Sequence, residues 1–84
     1  MKNRIVTLKT FLATRKPKKD TLERENYWKL IGERGKIIDG NETNDRVLVL
    51  FERNLDDYQV ENHNLIKNSL WIKATDLEFE MNKD

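Results

Sequence analysis

The sequence contains one histidine, His63, in a polar segment rich in asparagine. Histidine can act as a general base near neutral pH or as a metal ligand. A metal site here would need carboxylates as its other ligands, and Asp56, Asp57 and Glu61 are the nearest candidates. Their spacing matches no established ligand motif. We therefore expect His63 to hydrogen-bond to the backbone of a loop, and we predict no metal.

Other patterns that could support catalysis are incomplete. The carboxylate pairs Asp56–Asp57 and Glu78/Glu80 would need one buried partner with a raised pKa to work as acid and base, and we expect both pairs to be solvated. The Gly-Glu-Arg-Gly-Lys segment at 32–36 lacks the spacing of a phosphate-binding loop, so we assign its glycines to turn geometry. With no cysteine either, the chain is not expected to be an enzyme or to hold a cofactor.

The clearest signal for a partner is a cluster of cations, Arg15, Lys16, Lys18 and Lys19, around the single proline. Proline cannot donate a backbone hydrogen bond and the charges repel, so the pattern predicts an exposed basic loop at about 14–20.

The charge is distributed unevenly along the chain. Residues 1–36 hold eleven Lys/Arg and four Asp/Glu, whereas residues 37–84 hold five and eleven. Either the surface carries two signs, or the two halves interleave in a small domain. The basic region 15–36, with Tyr27 and Trp28 as stacking surfaces, is one route to nucleic-acid binding. Against this, the pI is near 8.0, and both aromatic residues could be core.

The elements that would position these residues are mostly strands. Alternating apolar residues and β-branched residues predict them, and Lys73 to Asp76 is predicted to be a tight turn. Three separate strands are predicted at 4–13, 69–72 and 77–81. A hairpin is predicted over about 35–53, and its second strand, at 46–51, is expected to be central in the sheet. Between the first two strands, residues 20–32 predict a short helix, one or two helical turns, or an irregular loop whose Tyr27, Trp28, Leu30 and Ile31 fill the core.

Residues 54–68 form an asparagine-rich loop with four asparagines. We expect the loop to be ordered and anchored by apolar side chains. The expected anchors are Leu55, Tyr58, Val60, Leu65 and Ile66. Such long loops are often functional.

Trp71 follows this loop in the strand at 69–72. Either Trp71 or its neighbours Leu70 and Ile72 must face the core. In the first case Trp71 is a packing residue. In the second, Trp71 with Leu55, Tyr58 and Trp28 could form an exposed aromatic groove for a peptide.

Two resemblances bear on the fold. The strand Leu70-Trp71-Ile72, a single 3₁₀ turn at 73–76 and the strand Leu77-Glu78-Phe79 resemble the ending of a Src-homology-3-like barrel. The order Asn26-Tyr27-Trp28, Gly32, Gly35 to Asp39 and Arg46 to Phe51 is similar to the small barrel protein of the photosystem I reaction centre, over about 26–79. These resemblances imply a fold and not a function, since small barrels serve many functions.

Together these patterns predict a single domain of 84 residues: a mostly-β, small five-stranded antiparallel Src-homology-3-like barrel with at most one short helix. The longest apolar run, Val47 to Phe51, is too short to span a bilayer, and the N-terminus does not resemble a signal peptide. We therefore expect a cytoplasmic protein without membrane association.

The predicted function is a non-enzymatic binding or accessory module that recognises a protein partner, and nucleic-acid binding through residues 15–36 is the alternative. The oligomeric state stays open. The candidate partner-binding residues are Arg15, Lys16, Lys18, Lys19, Trp28, Tyr58, His63 and Trp71.

Overall fold

The computed structural model describes residues 3–41, 45–62 and 64–80. Five strands form one antiparallel sheet: β1 (Ile5–Leu8), β2 (Arg34–Asn41), β3 (Arg46–Phe51), β4 (Ser69–Lys73) and β5 (Leu77–Phe79). Helical structure in these described ranges consists of 3₁₀ turns at Glu23–Glu25, Tyr27–Leu30, Leu55–Tyr58 and Ala74–Asp76. The predicted mostly-β class with five antiparallel strands is confirmed.

The sheet is open. Its strand order is β4-β3-β2-β1-β5, and no pairing joins β4 to β5 within the described residues. The three-residue strand β5 pairs instead with β1, where Val6 lies opposite Phe79. The 3₁₀ turn at Ala74–Asp76 carries the chain from one edge of the sheet to the other. The predicted five antiparallel strands are therefore present, and the sheet that they form is not closed into a barrel.

One apolar core lies against the sheet. The alternation in β1 places Val6 and Leu8 inward, and β3, an interior strand of the sheet, contributes Val47, Val49 and Phe51. Each fully buried aliphatic side chain stabilises the fold by about 1.5–3 kcal/mol. The remaining core residues are Leu30, Ile37, Leu55, Val60, Leu70, Ile72 and Leu77.

The glycines serve two different needs. Gly32 has a φ of +96°, so it sits in a turn conformation that other residues rarely adopt. At Gly35, an added Cβ would lie 2.7 Å from Val49 Cγ1 and 2.8 Å from the Leu50 carbonyl oxygen. The assignment to turn geometry is correct for Gly32 and wrong for Gly35, which instead allows β2 and β3 to approach closely.

The first strand is shorter than its sequence pattern predicts. β1 ends at Leu8 rather than continuing to 13. The chain then folds back on itself, and Phe11 and Thr14 form a bridge around two residues in the left-handed region. This reversal begins the basic loop (residues 14–20), which is exposed along its whole length as predicted.

The segment 20–32 combines the alternatives that the sequence left open. It forms two 3₁₀ turns rather than a regular α-helix, and they bury Trp28 and Leu30. Tyr27 and Ile31 pack against the core while staying partly exposed. The helical turns and the filling of the core therefore occur together.

Candidate binding groove

A groove of about 590 Å³ lies between the loop that follows β1 and the two 3₁₀ turns at 23–30. Its base is formed by aromatic residues, and charged residues line its edges. The lining residues are Phe11, Leu12, Lys18, Lys19, Asp20, Thr21, Glu25, Tyr27 and Trp28.

Three aromatic rings form a packed floor. The Phe11 ring meets Trp28 edge-on, with centroids 4.9 Å apart, and lies 5.4 Å from the Tyr27 ring. The Tyr27 hydroxyl donates to the Glu61 carbonyl oxygen at 2.7 Å. Burial raises the pKa of Tyr27, and the carboxylates of Glu61 and Glu25 act in the same direction. The floor is therefore fixed by ring packing and by one hydrogen bond.

One wall of the groove has a strained backbone. Leu12 and Ala13 have φ values of +52° and +64°, a conformation that costs a non-glycine residue about 1–2 kcal/mol. The buried Asp76 carboxylate holds them by accepting bonds from the Leu12 and Ala13 amides at 3.2 and 3.0 Å and from the Thr10 hydroxyl at 2.6 Å. The Asp76 carbonyl oxygen also accepts the amides of Lys9 and Thr10. The 3₁₀ turn before β5 thus clamps the groove wall.

Two buried polar atoms, one on the floor and one on the residue that precedes Tyr27, have unmet hydrogen-bonding capacity among the described residues. Trp28 Nε1 and Asn26 Oδ1 are buried and have no hydrogen-bond partner in the part of the chain that the structure describes. Each such group costs about 1–3 kcal/mol. Backbone strain and unmet polar groups tend to collect at functional sites, and here both occur beside one groove.

The cations of the basic loop have no ion-pair partner in the part of the chain that the structure describes. Arg15, Lys16, Lys18 and Lys19 are all exposed, and none of them makes an ion pair with a described residue. Several cations elsewhere in the described residues are matched with carboxylates. The pairs are Lys29–Glu23, Arg24–Glu61, Arg34–Glu80, Arg34–Glu52, Arg53–Asp57 and Lys67–Asp56. The basic loop therefore presents positive charge that these partners within the fold do not neutralise.

The predicted site residues fall into separate places. Lys18, Lys19 and Trp28 come together in the groove, with Trp28 only 9% exposed. Arg15 and Lys16 lie on the same loop but do not line the groove. His63 lies outside the described residues, so the prediction made for it has no structural counterpart here.

Trp71 does not join this groove. Leu70 and Ile72 face the core, and Trp71 lies half-buried on the other face of β4. The aromatic groove predicted from Trp71, Leu55, Tyr58 and Trp28 is not formed, since Leu55 is buried in the core and Trp28 alone of the four lines the groove.

Tyr58 is tied to the body of the fold. Its hydroxyl donates to Glu33 Oε1, and this bond is the main reason why the pKa of Tyr58 is raised. The guanidinium of Arg53 lies 5.7 Å from the centre of the Tyr58 ring. These contacts give Tyr58 a structural role in the asparagine-rich loop (residues 54–68).

The asparagine-rich loop directs its amides inward. All four asparagine side chains hydrogen-bond to backbone groups of the loop or of β4, which explains their abundance without a ligand. The bonds join Asn54 Oδ1 to the Asp56 amide (3.0 Å), Asn62 and Asn64 Nδ2 to the Ser69 carbonyl oxygen (2.8 and 2.6 Å), and Asn68 Oδ1 to the Leu55 amide (3.0 Å). Leu55 and Val60 are buried anchors, whereas the expected anchors Leu65 and Ile66 are exposed.

Sequence reasoning missed part of the groove lining. The apolar alternation places Phe11 and Leu12 in a continuous strand, because neither glycine nor asparagine marks the left-handed turn. No pattern in the sequence assigns Asp20, Thr21 or Glu25 to a binding surface. Only the proximity of a proline-containing basic loop to Tyr27 and Trp28 indicates this surface.

Two further observations limit the chemistry of the described residues. No group of three or more His, Cys, Asp or Glu side chains lies close enough together there to hold a metal ion. None of the helical segments in the same residues is long and apolar enough to cross a membrane.

Comparison of the chain with protein-family models, curated proteins and solved structures found no match.

Proposed function

We propose that this chain is a non-enzymatic binding module that recognises a protein partner through the groove between the loop after β1 and the 3₁₀ turns. One observation carries the proposal: an aromatic floor lies beside cations that have no ion-pair partner among the described residues. Aromatic anchors at the centre of a site with charges at its rim are typical of protein recognition.

The local strain supports the same surface. Leu12 and Ala13 are held in an unfavourable conformation by Asp76, and the effect is to present the Leu12 side chain, 43% exposed, at the groove. A fold that maintains such a conformation gains nothing in stability from an exposed leucine. A ligand that covers Leu12 would supply the missing apolar burial.

We further propose a Src-homology-3-like scaffold. Its support is the ending of the chain, in which β4, a single 3₁₀ turn and the short strand β5 follow one another as in such barrels. The sequence also resembles the small barrel protein of the photosystem I reaction centre in the order of its motifs, and this resemblance supports the proposal for the fold only. A cytoplasmic location is part of the same proposal, because the sequence contains no cysteine.

The proposal is tested by selecting ligands from a displayed library of random peptides on the immobilised protein. Enriched peptides are then synthesised and titrated against wild type and Leu12→Asn. Asparagine tolerates the left-handed backbone of Leu12, so this substitution removes apolar surface with little added strain. Losing one such contact corresponds to a roughly tenfold weaker affinity.

The matched control is Leu65→Asn, which changes a fully exposed leucine of the asparagine-rich loop. It should leave the affinity unchanged. If no peptide is enriched, or if Leu12→Asn and Leu65→Asn affect binding equally, the groove is not the recognition surface.

A further inference from the structure

We infer that the groove selects a peptide segment in which a carboxylate side chain stands next to a bulky apolar side chain. This inference rests on the proposed function and adds the chemistry of the partner. It depends on the position of two lysines relative to the apolar floor.

Lys18 and Lys19 line the groove together with Phe11 and Leu12. Neither lysine has an ion-pair partner among the described residues, and the loop that carries them also presents Arg15 and Lys16. A carboxylate that enters the groove would therefore meet ammonium groups that need not give up another ion pair. Charge complementarity of this kind favours acidic partners and speeds their association.

The floor beside these lysines suits an apolar side chain. The hydroxyl of Tyr27 is already engaged by Glu61, and the ring of Phe11 packs edge-on against Trp28. The exposed part of the floor is consequently ring and leucine surface. An apolar side chain there would bury Leu12 while the neighbouring carboxylate faces the lysines.

The remaining charges limit how much negative charge the groove accepts. Asp20 and Glu25 also line it, and neither carboxylate forms an ion pair with another described residue. A uniformly charged polymer laid along the groove would meet these carboxylates as well as the lysines. The arrangement thus favours one acidic residue at one position over a continuous polyanion.

The same geometry disfavours a single-stranded nucleic acid. Base stacking needs an aromatic face open to solvent, but of the two predicted stacking residues Trp28 is buried against Phe11 and Tyr27 is only partly exposed. Phosphate contacts with the basic loop would then supply most of the affinity. Nucleic acid is accordingly an outcome of the test below and not the inference.

The test is a pair of library selections run in parallel on wild type and on the double variant Lys18→Glu/Lys19→Glu. Wild type should enrich peptides with Asp or Glu beside Leu, Ile or Phe. These peptides should bind the double variant at least roughly tenfold more weakly, and that variant should enrich Lys or Arg at the position of the acid.

The matched control is Lys36→Glu/Lys73→Glu, which reverses two exposed lysines of β2 and β4. It should keep the acidic preference and the wild-type affinity. Urea denaturation checks that both double variants and Lys18→Gln/Lys19→Gln are folded. Their unfolding midpoints should stay close to that of wild type, because substitutions of exposed lysines change stability little.

The outcomes separate the two proposals. Peptides that bind in a Leu12-dependent way but show no acidic preference would overturn the inference and leave the proposed function standing. A selection that enriches nothing overturns both. If an oligo-uridine probe instead binds wild type, loses affinity steeply with salt and fails to bind Lys18→Glu/Lys19→Glu, the partner is a nucleic acid.

Discussion

The basic loop and the asparagine-rich loop look alike in sequence and behave differently in the fold. Both are long, polar and irregular, and each is a candidate for function on its sequence. In the asparagine-rich loop every asparagine amide bonds to backbone. In the basic loop the cationic side chains have no ion-pair partner among the described residues. The asparagines therefore have a structural role, whereas the outward side chains of the basic loop are the part of the molecule on which the proposed binding function rests.

The largest effect is expected from removing the carboxylate that holds the turn at Leu12 and Ala13, from which the basic loop begins. Asp76→Ala removes three hydrogen bonds to a buried carboxylate, and we expect it to lower the free energy of unfolding by about 2–3 kcal/mol. Urea denaturation measures the change. The control Asp20→Ala alters an exposed aspartate of the same loop and should change stability by less than about 0.5 kcal/mol.

Asp76→Ala also allows a rescue experiment. Because glycine accepts a positive φ without strain, Ala13→Gly in the Asp76→Ala background should restore about 1 kcal/mol. Equal effects of Asp76→Ala and Asp20→Ala, or no rescue by Ala13→Gly, would show that Asp76 does not hold this turn.

A second and smaller effect should come from the asparagine-rich loop. Asn68 has a φ of +66° and accepts the Leu55 amide. Asn68→Ala loses the bond and strains the backbone, so we expect about 2 kcal/mol of destabilisation, whereas Asn68→Gly keeps the backbone and should cost about 1 kcal/mol.

Asn68→Asp serves as the control for both variants, since it keeps an acceptor oxygen and tolerates the left-handed region. Its unfolding midpoint in urea should stay close to that of wild type. An Asn68→Gly variant as unstable as Asn68→Ala would mean that backbone strain contributes nothing at this position.

The smallest expected effect concerns the pKa values of the two tyrosines, which are raised for different reasons. Burial raises the pKa of Tyr27 in the groove, and the hydrogen bond to Glu33 raises that of Tyr58 in the asparagine-rich loop, both from 10.0. A raised pKa means that the folded state holds the phenolic proton more tightly. The resulting stability is complete below pH 10 and is lost as the pH rises through the folded-state values.

The ultraviolet absorbance of tyrosinate measures both pKa values, and Tyr27→Phe and Tyr58→Phe assign them. Glu33→Gln should bring the pKa of Tyr58 back towards 10.0 while leaving Tyr27 raised. If Glu33→Gln moves both or neither, the different causes assigned to the two tyrosines are wrong.

Local patterns predicted much of the fold. The apolar run at 46–51 became the interior strand β3, and the predicted tight turn before β5 became the 3₁₀ turn that the resemblance to a Src-homology-3-like barrel implies. The strand depends on neighbours in sequence, which is why a local pattern reveals it.

The groove was not predictable in this way. Its wall depends on Asp76 reaching Ala13, a residue 63 positions earlier in the chain. Nothing in the sequence around Leu12 marks a left-handed turn, and nothing around Asp76 marks a clamp. Leu55 and Leu65 belong to the same loop, yet Leu55 is buried and Leu65 is exposed. The difference arises because the 3₁₀ turn at Leu55–Tyr58 directs Leu55 inward.

Because the sheet is open, the asparagine amides also affect one of its edges. β4 lies at an edge, and an edge strand offers its outward backbone groups to strands of other molecules. The Ser69 carbonyl oxygen, at the start of β4, is already occupied by Asn62 and Asn64. The side chains that hold the loop therefore also occupy one backbone acceptor on which a strand of another molecule would depend, so the same amides that order the loop make this end of the edge less able to pair.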